Sequence, residues 1–190
     1  MGGLQGQRHR APRKAVVCTL GRWLARGACA IAASGLGAGC AANGLSGQEL
    51  HTGEFDLRVG PVAPGWRPIR QPGSLLAFRD DLERATVALE GRCGKDGDDV
   101  PLAALTRHLF LYFTHQEIIS QRAFRLDGRE ALRTEMAAEL DGVPQHFTVV
   151  VLKKNGCVYD FLYIEQTTGS ATGRSNFDRF VAGFSTLGER

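Results

Sequence analysis

Acidic side chains are missing from the first 39 residues, which hold six of the 23 lysines and arginines (Arg8, Arg10, Arg13, Lys14, Arg22 and Arg26). The rest of the chain therefore carries 17 basic against 20 acidic residues, and the pI of 8.7 belongs to the leader. That leaves no argument for a nucleic-acid partner. Long hydrophobic runs are also lacking. The apolar stretch 27–39 (GACAIAASGLGAG) has thirteen residues, about 20 Å as a helix, against a hydrocarbon core of roughly 30 Å. It is too short for a permanent transmembrane helix. Cysteine is scarce outside the leader, where only Cys40, Cys93 and Cys157 remain. Two cysteines this far apart with no neighbouring His pair do not make a metal site.

Catalytic signatures are absent as well. No G-x-S-x-G, Walker loop, H-E-x-x-H or dinucleotide fingerprint occurs. His108, His115 and His146 stand apart from one another and read as surface or capping residues. Asp96, Asp98 and Asp99 crowd one loop without the spacing or closing Glu of a calcium loop. Asp160 sits between apolar neighbours; it is either a buried acid with a raised pKa or the partner of Arg122, Arg125 or Arg133. Neither enzymatic activity nor a cofactor is expected.

What is present first is an address. A basic n-region followed by the apolar stretch is the layout of a secretory signal over 1–39. The segment Leu36-Gly37-Ala38-Gly39-Cys40 resembles the lipobox of bacterial lipoproteins, although Leu36 lies four rather than three places before the cysteine. The resemblance implies lipidation of Cys40 and anchorage in the bilayer by acyl chains. Ala41, in place of Asp, implies the outer membrane, with the domain facing the periplasm. Cleavage near Ala42 instead would release a soluble periplasmic protein. In that oxidising compartment Cys93 and Cys157 read as a disulfide, worth about 4 kcal/mol through the loop it closes.

The exported part divides into a small, polar tether over 40–51 and a single domain over 52–190. Phe55, Leu57 and Val59 alternate with polar residues as a strand, and 60–73 reads as a Gly/Pro-rich loop carrying Trp66. Residues 75–79 and 86–91 form a hairpin. Asp99 is positioned to cap a helix carrying Leu102, Leu105, Leu109 and Phe113. Then Asp127-Gly128, Asp141-Gly142 and Asn155-Gly156 punctuate four strands, 117–126, 130–140, 145–153 and 157–165. The segment 130–140 (EALRTEMAAEL) is built of helix formers. Even so, Leu132, Thr134, Met136, Ala138 and Leu140 alternate with charged residues between two hairpin turns, so it is assigned as strand. Ser175 opens a last helix with Phe177, Phe180, Val181 and Phe184 on one stripe. The fold class is α+β: a mainly antiparallel sheet with a C-terminal four-strand meander, covered by two helices.

This order resembles the PsbP/Mog1-like sandwich family. Trp66 after the first strand, the hairpin 126–131, the strand opening 155–160 and the helix 177–184 carry the resemblance, which spans 52–188. It implies an accessory or scaffolding module that binds another envelope protein, with no shared catalytic residues. The alternative is a carrier or sensor holding an apolar ligand between sheet and helices, lined by Phe110, Tyr112, Phe113 and the strand from Tyr159 to Tyr163.

Overall fold

The computed structural model describes residues 45–94, 100–166 and 171–188. Cys40 and the acidic trio Asp96, Asp98 and Asp99 lie outside them. The described residues form an α+β fold of two sheets and two helices. A small sheet joins β1 (Leu45–Ser46), β2 (Glu49–His51), β3 (Asp56–Arg58) and β11 (Ser185–Thr186) in that order. The main sheet has seven antiparallel strands. Its order is β4 (Trp66–Pro68), β5 (Ser74–Asp80), β6 (Ala85–Cys93), β10 (Cys157–Glu165), β9 (Val143–Lys154), β8 (Arg129–Leu140) and β7 (Thr114–Leu126).

The meander β7–β10 follows from its turns. Asp127, Asp141 and Asn155 all have positive φ, 46°, 52° and 52°, and each is followed by a glycine with positive φ. Two successive left-handed residues match the right-handed twist of hairpin strands. The segment 130–140 is strand throughout. Met136 and Ala138 join the core beneath α1 (Leu102–His108), whereas Arg133 reaches Asp178 on α2 (Ala171–Ala182). Alternation defeats helix propensity here because each neighbouring ladder fixes the pleat.

Both faces of β9 and β10 are covered, as their apolar residues on both faces require. One face carries the larger core, in which Phe180 of α2 meets the rings of Trp66, Phe78 and Phe161 at 5.6, 6.1 and 6.3 Å. The other face packs Leu105 and Phe110 onto Met136, Phe147, Val149, Val151 and Val158. Gly60 lies so close to the backbone of Arg179 that no Cβ fits there, and its N–H donates to Phe180 O. The end of α2 is thereby fixed to the chain leaving β3.

Several sequence expectations give way. The segment 45–51, assigned to the tether, is the β1–β2 hairpin. Leu50 is only 1% exposed and sits opposite Leu57, and Leu45, its partner in the hairpin, packs against the same core, so two leucines anchor the segment. The loop 60–73 contains β4, because Trp66 buries its ring and donates Nε1–H to Asp80 Oδ2 at 3.1 Å. Helix α1 is shorter than its apolar spacing predicts and has Pro101 at its N-cap with no side-chain cap bond. Leu109 and Phe113 still pack on the same core from the turn that follows. Helix α2 begins at Ala171, so Ser175 lies inside it rather than capping it.

Candidate functional site: the open edge and the α1 groove

Cys93 and Cys157 stand directly opposite each other on β6 and β10, are joined as a disulfide, and have Cα atoms 4.0 Å apart. Gly94 N–H donates to Gly156 O at 3.2 Å, so the neighbouring pair is the hydrogen-bonded one. The cysteines therefore occupy a non-hydrogen-bonded pair, where Cα atoms come closest. The bridge ties the early hairpin to the last meander strand.

Asp160 is completely buried on β10, opposite Glu90, and Arg92 two residues along β6 donates to its Oδ2. The partner is thus Arg92, not Arg122, Arg125 or Arg133; the latter bonds Glu135 and Asp178 instead. Burial drives the Asp160 carboxyl above the usual carboxylate range, against the pull of Arg92 and, more weakly, of His108. Glu90 is raised too, first by burial and then by the charge of Asp160. His115 contacts Glu139 at 3.0 Å and His146 sits opposite Glu165 in the ladder, so the three histidines do not converge. Among the described residues no three His, Cys, Asp or Glu side chains are placed to hold a metal.

The aromatic side chains that would have lined an apolar cavity fill the two cores. Phe110, Phe113 and Phe147 pack edge to face at 5.0–5.3 Å, and Tyr159 and Phe161 meet Phe184 at 4.9 and 5.1 Å. Tyr112 points to solvent.

The open feature lies elsewhere. Helix α1 sits over β8 and β9, and β7 extends beyond its cover. Gln116 Nε2–H donates to Phe110 O and Phe113 O, which fastens the turn after α1 to the start of β7. Between helix and strands runs a groove of about 650 Å³, bordered by Leu102, Gln121, Arg125, Arg129, Glu130 and Lys153. A smaller hollow of about 160 Å³, with Phe110, Ile118 and Met136 in its wall, shares Ala103 and Gln121 with it. The smaller hollow thus has apolar side chains in its wall beside Arg107, and the groove beyond it is bordered by Arg125, Arg129 and Lys153. Along it β7 is exposed at every position but Phe124 and Leu126, and Ile118 and Ile119 are each more than half exposed. This edge escaped the sequence reading. The signal was in 117–126, where two adjacent isoleucines break the alternation and polar residues fall on both faces.

No family model matches the sequence, and no curated protein matches it. Solved structures do share its architecture. Cyanobacterial PsbP from Synechocystis superposes with a TM-score of 0.50 at 18% identity, over 74% of this chain and 92% of that one. A variant of Mog1 gives 0.52 at 11% identity, over 75% and 97%. The chain has the PsbP/Mog1-like fold. LpqN of Mycobacterium tuberculosis, described as involved in cell envelope biogenesis, superposes with a TM-score of 0.51 at 14% identity, over 73% and 90%. At these identities the likeness concerns the fold, so the PsbP/Mog1-like frame carries no residue roles with it.

Proposed function

We infer that this chain is a non-enzymatic lipoprotein of the bacterial envelope, anchored through Cys40 to the outer membrane and displaying its domain to the periplasm as an accessory module for another envelope protein. The observation that carries this reading is the β7 edge beside the α1 groove, which no strand among the described residues pairs. A 13-residue edge strand with exposed isoleucines is a template for another chain unless something covers it. The leader and the Cys93–Cys157 bridge support an oxidising, exported location. No helix among the described residues is long and apolar enough to cross a membrane, in keeping with a lipid anchor. The envelope role described for LpqN lends the same reading further weight. The best-placed acid, Asp160, is sealed from solvent and held by Arg92, which favours binding over catalysis. The carrier alternative loses support because the Phe and Tyr rings it needs are occupied with one another.

A photo-reactive side chain at Ile118 tests the reading in intact envelopes, with one at Leu82, equally apolar and still more exposed, as the control. A discrete adduct from 118 and none from 82 is expected. Equal smears from both, or no adduct from either, refute it. Replacing Cys40 with Ser should abolish fatty-acid labelling and release the protein from membranes; retention would remove the lipid anchor from the reading.

A further inference from the structure

We propose that β7 accepts an extended, acidic peptide segment of the partner protein as an eighth strand of the main sheet, aligned along residues 120–126. The inference rests on the accessory-module reading and specifies the chemistry of what that module holds.

The first ground is backbone geometry. Register between β7 and β8 shifts between Thr114 and Glu117 and again between Ile118 and Ser120. From Ser120 opposite Glu135 to Leu126 opposite Arg129 the ladder is unbroken. A bulged edge resists pairing, whereas a regular one invites it. The seven residues 120–126 are therefore the receptive part. They contain neither the Pro nor the Lys that commonly blunts an edge. A strand added there gains its affinity from main-chain hydrogen bonds and its selectivity from side chains on alternate faces.

The second ground is charge. Arg122 and Arg125 are exposed, and among the described residues neither is in a salt bridge. Arg122 lies over the Phe124 ring at 5.9 Å, and Arg125 donates to Gly128 O at 2.7 Å. Being three residues apart on a strand, they project to opposite faces. Arg122 stands opposite Arg133 on the side of α2. Arg125, opposite Glu130, borders the α1 groove with Arg129 and Lys153. At this end of the groove Arg125 and Arg129 flank the Glu130 carboxylate. A partner strand with acids three residues apart would meet an arginine on each face, and its apolar side chains would continue toward Ile118. A second copy of this chain fits worse. Residues 120–126 hold two arginines and no acid, so self-pairing would bring like charges together.

The test uses the purified full-length protein and a capped, fluorescein-labelled peptide, Val-Val-Glu-Val-Val-Glu-Val, followed by fluorescence anisotropy and by amide chemical shifts. Saturable binding is expected, with the largest shifts at 120–126. N-methylation of alternate peptide amides should abolish binding while leaving its charge intact. The Arg122→Glu, Arg125→Glu double variant, altered only at exposed positions, should bind at least tenfold more weakly and instead accept the peptide with Lys in place of Glu. Undiminished binding of the N-methylated peptide, or shifts confined to other strands, overturns strand addition. So does a stable dimer through β7 in sedimentation, or occupancy of the groove by dodecyl phosphate with no response to the peptide. Adducts at Ile118 without peptide binding would sink this inference and leave the accessory reading intact. Peptide binding without adducts in envelopes would do the reverse.

Discussion

Removing the Cys93–Cys157 bridge with paired Ser substitutions should weaken the domain substantially without changing its fold. The magnitude follows from the sequence separation of 64 residues. Cross-linking a loop of that length removes about 4 kcal/mol of conformational freedom from the unfolded chain. Single domains are commonly stable by about 5–15 kcal/mol, so the loss is a large fraction of the whole. Spread over the unfolding entropy of a domain this size, it lowers Tm by about 10–15 °C. The native ladder should survive, because β6 and β10 remain paired from Arg92–Val158 to Ala85–Glu165. Urea unfolding of the parent and the double variant, by tryptophan fluorescence and circular dichroism, gives two readouts. The midpoint should fall, and the m-value should rise because the unlinked chain exposes more surface. Cys93 is exposed in the folded state, so dithiothreitol should reproduce the variant's curve without prior unfolding. Identical midpoints and m-values for the parent and the double variant would refute the reasoning, since the bridge would then not constrain the unfolded chain.

Asp160→Asn should remove a pH-dependent cost. An acid whose folded pKa is raised keeps its proton longer in the folded chain, so stability falls as pH climbs from the ordinary carboxylate range through the raised value. The variant should therefore gain on the parent between acid and neutral pH in urea titrations, and a difference independent of pH would count against the buried-acid account. Phe180→Ala should cost about 3–5 kcal/mol because that ring touches three aromatic neighbours in the larger core. Ile119→Ala, at an exposed site, should stay within about 0.5 kcal/mol by the same assay.

Much of the architecture was legible because its determinants are local. The Asp-Gly and Asn-Gly turns, the two-faced apolar runs of β9 and β10 and the stripe of α2 each declare themselves within a dozen residues. Hidden features depended on partners distant in sequence. Leu50 sits in a short, mostly polar stretch and becomes core through partners on other strands, with Leu57 opposite it. Arg92 became the partner of Asp160 through the register set around Cys93 and Cys157. That register places Glu90 opposite Asp160 and brings Arg92 diagonally within reach. The candidate site was the least legible part. An edge is defined by a neighbour that is not there, and no residue in 114–126 records by itself that β7 stands last in the sheet.

The early start of the fold has a consequence for reach. With β1 beginning at Leu45, only four residues separate Cys40 from the first strand among the described residues. A chain advances at most about 3.5 Å per residue, so β1 can stand no more than about 18 Å from Cys40. A tether running to residue 51 would have allowed roughly twice that. That span is short compared with the width of a domain this size. On the proposed lipid anchor, a protein so mounted would meet its partner near the membrane surface rather than sample the depth of the periplasm. Encounter there would become a search in two dimensions, governed by lateral diffusion and by which side of the domain faces away from the bilayer.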